Sequence, residues 1–231
     1  MIDWHSHILP GIDDGSKDVA ESVSMLQMLA AQGVDTVVAT PHFYANYGTV
    51  ATFLEKREAA YQQLKAQLPA DAPEILLGAE VRYYPGISRM DGLKALRIQG
   101  TTILLLEMPF TRWTEFTIRE LIELSGMHGF QIVMAHVERY LPLQTRVCWD
   151  RLLQCDILFQ VNAGCVTTFG TRRRVRTLLK NGNVHLLGSD CHNMHTRKPN
   201  MEGALAWIEK EFGSNYLCQM NELGNTLLGT K

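Results

Sequence analysis

Histidines at 5 and 7 and aspartates at 13 and 14 crowd into one short opening stretch, DWHSHILPGIDDG. Imidazole nitrogens and carboxylate oxygens bind metals and move protons. On an extended segment, side chains two apart point the same way. His5 and His7 are therefore expected on one side of a strand, with Ser6 packed behind them. The stretch SDCHN repeats the pattern: Asp190 and His192 share a side and Cys191 points away. Between these pairs stand His42, Glu80, Glu107 and His136, each at the end of an apolar run or just after one. One such residue alone is most simply a polar group meeting solvent. Their recurrence in one register points to a metal centre.

The elements that must carry these groups are legible as seven apolar runs. They are MIDWH (1–5), VDTVVAT (34–40), EILLGAE (74–80), TILLLEM (102–108), QIVMAH (131–136), ILFQVNA (157–163) and VHLLGSD (184–190). Short Val-, Ile- and Leu-rich runs suit strands buried on both faces, as in a parallel sheet. Helical patterns fall between most of them. Val19, Val23, Leu26 and Ala30 form one stripe, Asp18 with Glu21 resembles a capping box, and Gly33 is a natural stop. Further helices are expected over 50–68, 115–127, 143–155, 170–181 and 200–212. The alternation predicts an α/β fold. A barrel of seven strand–helix units, (β/α)7, is one architecture and an open doubly wound sheet the other. In a barrel the carboxyl ends of the strands converge on one face, where chemistry sits. Convergence of the candidate ligands therefore favours the barrel. The loops at 8–15, 41–50 and 82–92 are long strand-to-helix connections that would line that face.

Length and composition set bounds. At 231 residues, 46% hydrophobic and 20% charged, the chain suits one domain over 1–231. A net charge of −2 supplies no global field toward nucleic acid or an anionic membrane. No apolar window of about 18 residues predicts a membrane span, and no basic segment leads into an apolar one as in a secretory signal. Five scattered cysteines without C-x-x-C spacing read as reduced thiols and a cytoplasmic setting. His128 and His185 read as structural, and His195 at most as a rim residue.

Nine candidates exceed the needs of one ion: His5, His7, Asp14, His42, Glu80, Glu107, His136, Asp190 and His192. Two or three divalent ions with bridging carboxylates fit that number. Imidazole and carboxylate without thiolate suit manganese, iron or zinc rather than a soft metal. Three such ions against the carboxylates of Asp14, Glu80, Glu107 and Asp190 leave the site cationic even with a bound hydroxide, which suits a phosphate monoester. Arg139, just past His136, and Arg197, just past His192, are placed to grip phosphate oxygens.

The segments DWHSHILPGIDDGSKD, GVDTVVATPHF, GAEV, LLLEMPF, AHVERY, QVNAGC and LLGSDCHN together resemble the PHP (polymerase and histidinol phosphatase) superfamily. Within it, the resemblance is to bacterial PHP-type protein-tyrosine phosphatases of capsular and exopolysaccharide loci. It runs from residue 1 to about residue 200. It implies a distorted (β/α)7 barrel with up to three metals, often manganese. His5, His7, Glu80 and Asp190 would hold one ion, Glu80, Glu107 and His136 a second, and Asp14, His42 and His192 a third. Asp13 adjoins Asp14 and is the alternative to it. Arg139 and Arg197 match phosphate-binding arginines. The implied substrate is a tyrosine-phosphorylated bacterial autokinase. Cys165 stands where relatives often have serine, and the last thirty residues match loosely.

The expected reaction is in-line attack on phosphorus by a metal-bound hydroxide. Phe43, Tyr44, Phe110 and Trp113 follow strand ends, where they either flank a substrate ring or pack their loops. A cysteine phosphatase needs C-x5-R, and Cys165 and Arg172 are one residue too far apart. The rivals are a small-molecule phosphoesterase such as a histidinol phosphatase, and a non-catalytic metal-binding module.

Overall fold

Every one of the seven apolar runs contains a strand, and two of the strands are followed at once by a second, shorter one. The computed structural model describes residues 1–166 and 169–229, which form nine strands and seven α-helices. Strands β1 (Ile2–Ser6), β2 (Thr36–Ala39) and β4 (Glu74–Leu77) pair in parallel in the order β1-β2-β4. The other six are β3 (His42–Phe43), β5 (Glu80–Arg82), β6 (Ile103–Glu107), β7 (Gln131–Met134), β8 (Ile157–Asn162) and β9 (Leu186–Gly188). They pair in parallel in that order.

The breaks are chemical. Pro41, which has no N–H for a ladder, separates β2 from β3, and Gly78–Ala79 separate β4 from β5. His42 and Glu80 therefore open new short strands. This corrects the expectation that Glu80 ends the strand begun at 74.

The last strand lies beside the first. The Asp190 N–H donates to His5 O at 2.7 Å, and the His7 N–H donates to Cys191 O at 2.9 Å. Buried Asp3 accepts from the Ser189 N–H at 2.7 Å. A mixed α/β fold with parallel sheets is the result.

Both strand faces are buried. Val37, Leu104, Leu106, Ile132, Met134 and Leu187 face the larger apolar core, which the helices cover. Their neighbours Val38, Ile103, Leu105, Val133, Ala135 and Leu186 face a second, smaller one with Ile2 and Trp4. The candidate ligands Glu107 and Asp190 continue the second set in step: Ile103, Leu105, Glu107, and Leu186, Gly188, Asp190. Gly188 is needed there. A Cβ would meet His5 Cβ at 2.6 Å and Gln160 Nε2 at 2.8 Å.

Helix α1 (Val19–Ala31) begins at Asp18, whose side chain accepts from the Glu21 N–H. Glu21 turns to the N–H groups of Lys17 and Met194 instead of completing a capping box. The buried face of α1 is centred on Ser22, Met25, Leu26 and Leu29, so Val19, Val23 and Ala30 lie on its half-buried margin. Helices α2 (Val50–Lys65), α3 (Glu115–Ser125), α4 (Arg146–Leu152), α5 (Phe169–Lys180) and α6 (Met201–Phe212) occupy the expected spans, give or take a few residues. Helix α7 (Ser214–Leu228) was not expected. It lies against the start of β1, where Gly224 approaches Ile2 and Trp4 too closely for a side chain. None of the described helices is long and apolar enough to cross a membrane.

Candidate metal centre

The nine predicted ligands converge. Glu80 is at the middle, fully buried. Its Oε2 lies 3.3 Å from His5 Nε2, 3.4 Å from His7 Nε2 and 2.9 Å from His42 Nδ1. Its Oε1 lies 2.9 Å from His136 Nε2, which in turn is 3.8 Å from Glu107. Asp190 Oδ1 is 3.6 Å from His5 Nε2 and 3.5 Å from His7 Nε2. Asp14, largely exposed, bridges His42 Nε2 at 3.3 Å and His192 Nε2 at 3.4 Å. Three groups of donor atoms are compact enough to hold an ion: His5, His7 and Asp190; His7, Asp14, His42 and His192; and His42, Glu80 and Glu107. His7 and His42 thus each belong to two groups. His128 and His195 are exposed and outside the cluster, and His185 accepts from the Phe159 N–H.

Three buried ring nitrogens test the fit. His42 Nδ1, His136 Nδ1 and His192 Nε2 have no hydrogen-bond partner among the described residues, although His42 Nδ1 and His192 Nε2 each face a carboxylate oxygen. Burial, helped by nearby His7 and Arg197, holds His192 neutral, down at about 4. Burial also lowers His136. Metal binding requires neutral imidazoles and ionised carboxylates. Glu80 supplies the latter: burial opposes its charge, but His5, His136 and His42 outweigh burial and hold it well below the usual carboxylate range. Burial opposes charge on His5 and His7, but Glu80 and Asp190 outweigh it at His5, and Asp13 and Glu80 raise His7 to about 10, so both imidazoles would give up a proton to a cation. With those protons released, the donor set fits divalent cations.

Adjacent Asp13 and Asp14 separate clearly by geometry. Asp13 Oδ2 takes His7 Nδ1 at 2.7 Å and the His42 N–H at 2.9 Å, and Oδ1 takes the Gly15 N–H at 2.9 Å. Burial opposes its ionisation, yet these bonds keep Asp13 well below the usual range. Its bond to His7 Nδ1 leaves His7 Nε2 facing the cluster. Carboxylates behind a ligating imidazole are worth about 10–100-fold in metal affinity or activity. Asp13→Asn is therefore expected to weaken metal binding by about that factor, measured by competition with a chromogenic chelator. Undiminished affinity would remove Asp13 from this role.

Other orienting groups escaped the sequence reading. Gln160 Oε1 accepts from the His136 N–H at 2.7 Å and lies 3.3 Å from His5 Nδ1. Asn162 donates to Asp190 at 2.6 Å, and Arg82 donates to Glu107 at 2.8 Å. The available signal was a polar residue recurring on one face of an apolar strand, as Gln160 and Asn162 do in ILFQVNA.

Arg139 and Arg197 both reach the centre, donating to the two oxygens of Asp190 at 2.5 and 2.7 Å. Of the four aromatic candidates, Phe43 and Trp113 are buried and pack their loops. Phe110 stacks on His136 at 5.7 Å, and Tyr44 is 5.2 Å from His42. A cleft of about 310 Å³ beside Asp14 and His42 is lined by Tyr44, Tyr47 and Phe53, and one of about 500 Å³ opens beside Asp190.

Parallel α/β topology with clustered imidazoles and carboxylates at successive strand ends defines a class, that of α/β proteins with a candidate polynuclear metal site. Residues 1–225 match the capsular polysaccharide synthesis family CpsB/CapC, and the chain belongs to that family. It is 32% identical to the tyrosine-protein phosphatase YwqE of Bacillus subtilis (strain 168), across 99% of this chain and 91% of that one. It is 31% identical to the tyrosine-protein phosphatase CpsB of Streptococcus pneumoniae, across 93% and 92%. A crystal structure from work on YwqE and CpsB, there called unique metal-dependent tyrosine phosphatases, superposes with a TM-score of 0.83 at 27% identity. It covers all of this chain and 95% of that one. L-hydantoinase from Arthrobacter aurescens shares the fold, with a TM-score of 0.61 at 13% identity over 99% of this chain and 70% of that one.

Proposed function

We propose that this chain is a metal-dependent protein-tyrosine phosphatase of capsular or exopolysaccharide synthesis. The observation that carries the reading is the meeting of His5, His7, His42 and His136 around one buried carboxylate, Glu80, in a chain related throughout its length to tyrosine phosphatases. The whole chain, 1–231, acts as one domain, a distorted (β/α)7 barrel. Hydrogen bonds from Asp190 and His7 across the β9–β1 seam support closure. Two or three divalent ions are held, manganese before iron or zinc. His5, His7, Glu80 and Asp190 take the first, Glu80, Glu107 and His136 the second, and Asp14, His42 and His192 the third. The protein substrate is the phosphorylated tail of a bacterial tyrosine autokinase, in the cytoplasm.

Bound divalent ions would activate water and offset the charge that builds on phosphate oxygens. The chain's own residues do the rest. Arg139 and Arg197 present N–H groups on either side of Asp190 and hold two phosphate oxygens. Tyr44 and Phe110 flank the substrate ring. Hydrolysis breaks the bond between phosphorus and the phenolic oxygen, and tyrosine's pKa of ~10 makes phenolate a tolerable leaving group.

No thiol takes part. Cys165 is buried, and burial pushes its thiol far above the ordinary range. Cys165→Ser is expected to keep kcat within about twofold, since a thiol that does not ionise is no nucleophile. Near-total loss in a folded protein would overturn the scheme.

The reading as a whole is tested by loading the purified protein with manganese and comparing kcat/KM on a phosphotyrosine peptide and on histidinol phosphate. Preference for the peptide supports it. Preference for histidinol phosphate makes the protein a small-molecule phosphoesterase, and no hydrolysis of either makes it a metal-binding module.

A further inference from the structure

The cleft beside Asp190 has a volume of about 500 Å³. A single water needs about 10–15 Å³ of such space, so the cleft is far larger than one phosphate group requires. Its lining is cationic: Arg139, Arg174, Arg197 and Lys198 against Glu138 and Asp190. The two acidic groups are already engaged. Asp190 is held by Arg139 and Arg197, and the buried Glu138 carboxylate faces the Asn162 N–H. Arg174, on α5, and Lys198, just past Arg197, are exposed and make no ion pair among the described residues. On the same helix Arg176 is paired, with Glu211 at 2.7 Å. Two unpaired cations thus share a cleft with the arginines proposed to hold the reacting phosphate.

We propose that Arg174 and Lys198 form a second anion subsite, which takes a carboxylate or phosphate carried by the same polypeptide as the phosphotyrosine being hydrolysed. The inference rests on the phosphotyrosine reading above and adds a substrate class to it: acidic or multiply phosphorylated segments. A cleft lined by one sign of charge raises the local concentration of the opposite sign. Thr171, also on the lining, adds a hydroxyl donor within the same cleft. The anion has two possible sources, a neighbouring Asp or Glu and a second phosphotyrosine, and both present the same charged oxygens.

The test uses the full-length, manganese-loaded protein and three phosphotyrosine peptides of equal length. One has neutral flanks, one has glutamate flanks, and one carries a second phosphotyrosine. The quantity read is the ratio of kcat/KM for each anionic peptide to that for the neutral one. Both values come from one preparation, so incomplete metal loading or partial misfolding cancels. The wild-type protein is expected to prefer at least one anionic peptide by about tenfold, the scale of two solvent-exposed charge pairs with charge-assisted hydrogen bonds. Arg174→Glu with Lys198→Glu is expected to bring the ratio to one or below, through KM rather than kcat. Added salt should shrink the wild-type preference as the Debye length falls from ~10 Å at 0.1 M. Preference for the glutamate peptide assigns the subsite to carboxylates, and preference for the doubly phosphorylated peptide alone assigns it to phosphate. Hydrolysis without preference, or a preference that survives charge reversal, overturns the subsite alone. Hydrolysis of none of the three overturns the phosphotyrosine reading and the subsite with it.

Discussion

Glu80→Gln is expected to lower kcat/KM for a phosphotyrosine peptide by about 1000-fold, or ~4 kcal/mol of transition-state stabilisation. The replacement keeps the size of the side chain and removes its charge. In the wild-type protein both carboxylate oxygens are surrounded by imidazole nitrogens, from His5, His7 and His42 on one side and His136 on the other. An amide has one oxygen to offer, and its NH₂ group points donors at neighbours that cannot accept them while binding a cation. Two of the three proposed ion positions share Glu80, so both lose a ligand together. Steady-state kinetics, elemental analysis of bound metal and circular dichroism would be measured side by side. A folded variant with full activity would remove Glu80 from the centre.

Stripping the protein with a chelator is expected to abolish phosphatase activity and to lower Tm by about 8–16 °C. Anything bound by the native state alone stabilises it by about 4.1 kcal/mol at a thousandfold excess over Kd. A chain of this length loses roughly 2–4 °C per kcal/mol. The loss is large here because the buried carboxylates Glu80, Glu107 and Asp190 stand close together and, without cations, depend on imidazoles and on Arg82, Arg139 and Arg197 for compensation. Adding back manganese, iron or zinc in turn should restore both quantities, and the most effective ion identifies the preferred one. Activity that persists after complete removal of metal, checked by elemental analysis, would refute the metal-dependent reading. Glu80→Gln should show a smaller rise in Tm with added metal, which ties the two experiments to one set of ligands.

Much of this is legible in the sequence. Strands buried on both faces leave continuous apolar runs, and groups that must meet at their ends leave polar residues in fixed step with them. His5 with His7 and Asp190 with His192 could be read that way. What was illegible depended on loop geometry or on contacts between distant residues. Asp13 and Asp14 are chemically identical neighbours, and only the turn that sends one toward His7 and leaves the other exposed distinguishes them. Helix α7 was hidden by Gly224, a residue that costs about 1 kcal/mol inside a helix. Its reason lies more than two hundred residues away in sequence, at Ile2 and Trp4. The apolar stripe of α1 misses the centre of its buried face because Ser22, a polar residue, occupies that centre and bonds to Ser16.

His136 and Asp190 share a feature no other described non-glycine residue has: a positive φ, of 35° and 53°. Such conformations cost on the order of 1–3 kcal/mol each for residues with a Cβ. Glycine would relieve the cost at both joints and would remove both proposed ligands. Selection for ruggedness alone would therefore drift toward a sturdier, idle molecule. With the roles proposed for His136 and Asp190, heat tolerance and turnover pull against each other at these two points of the backbone.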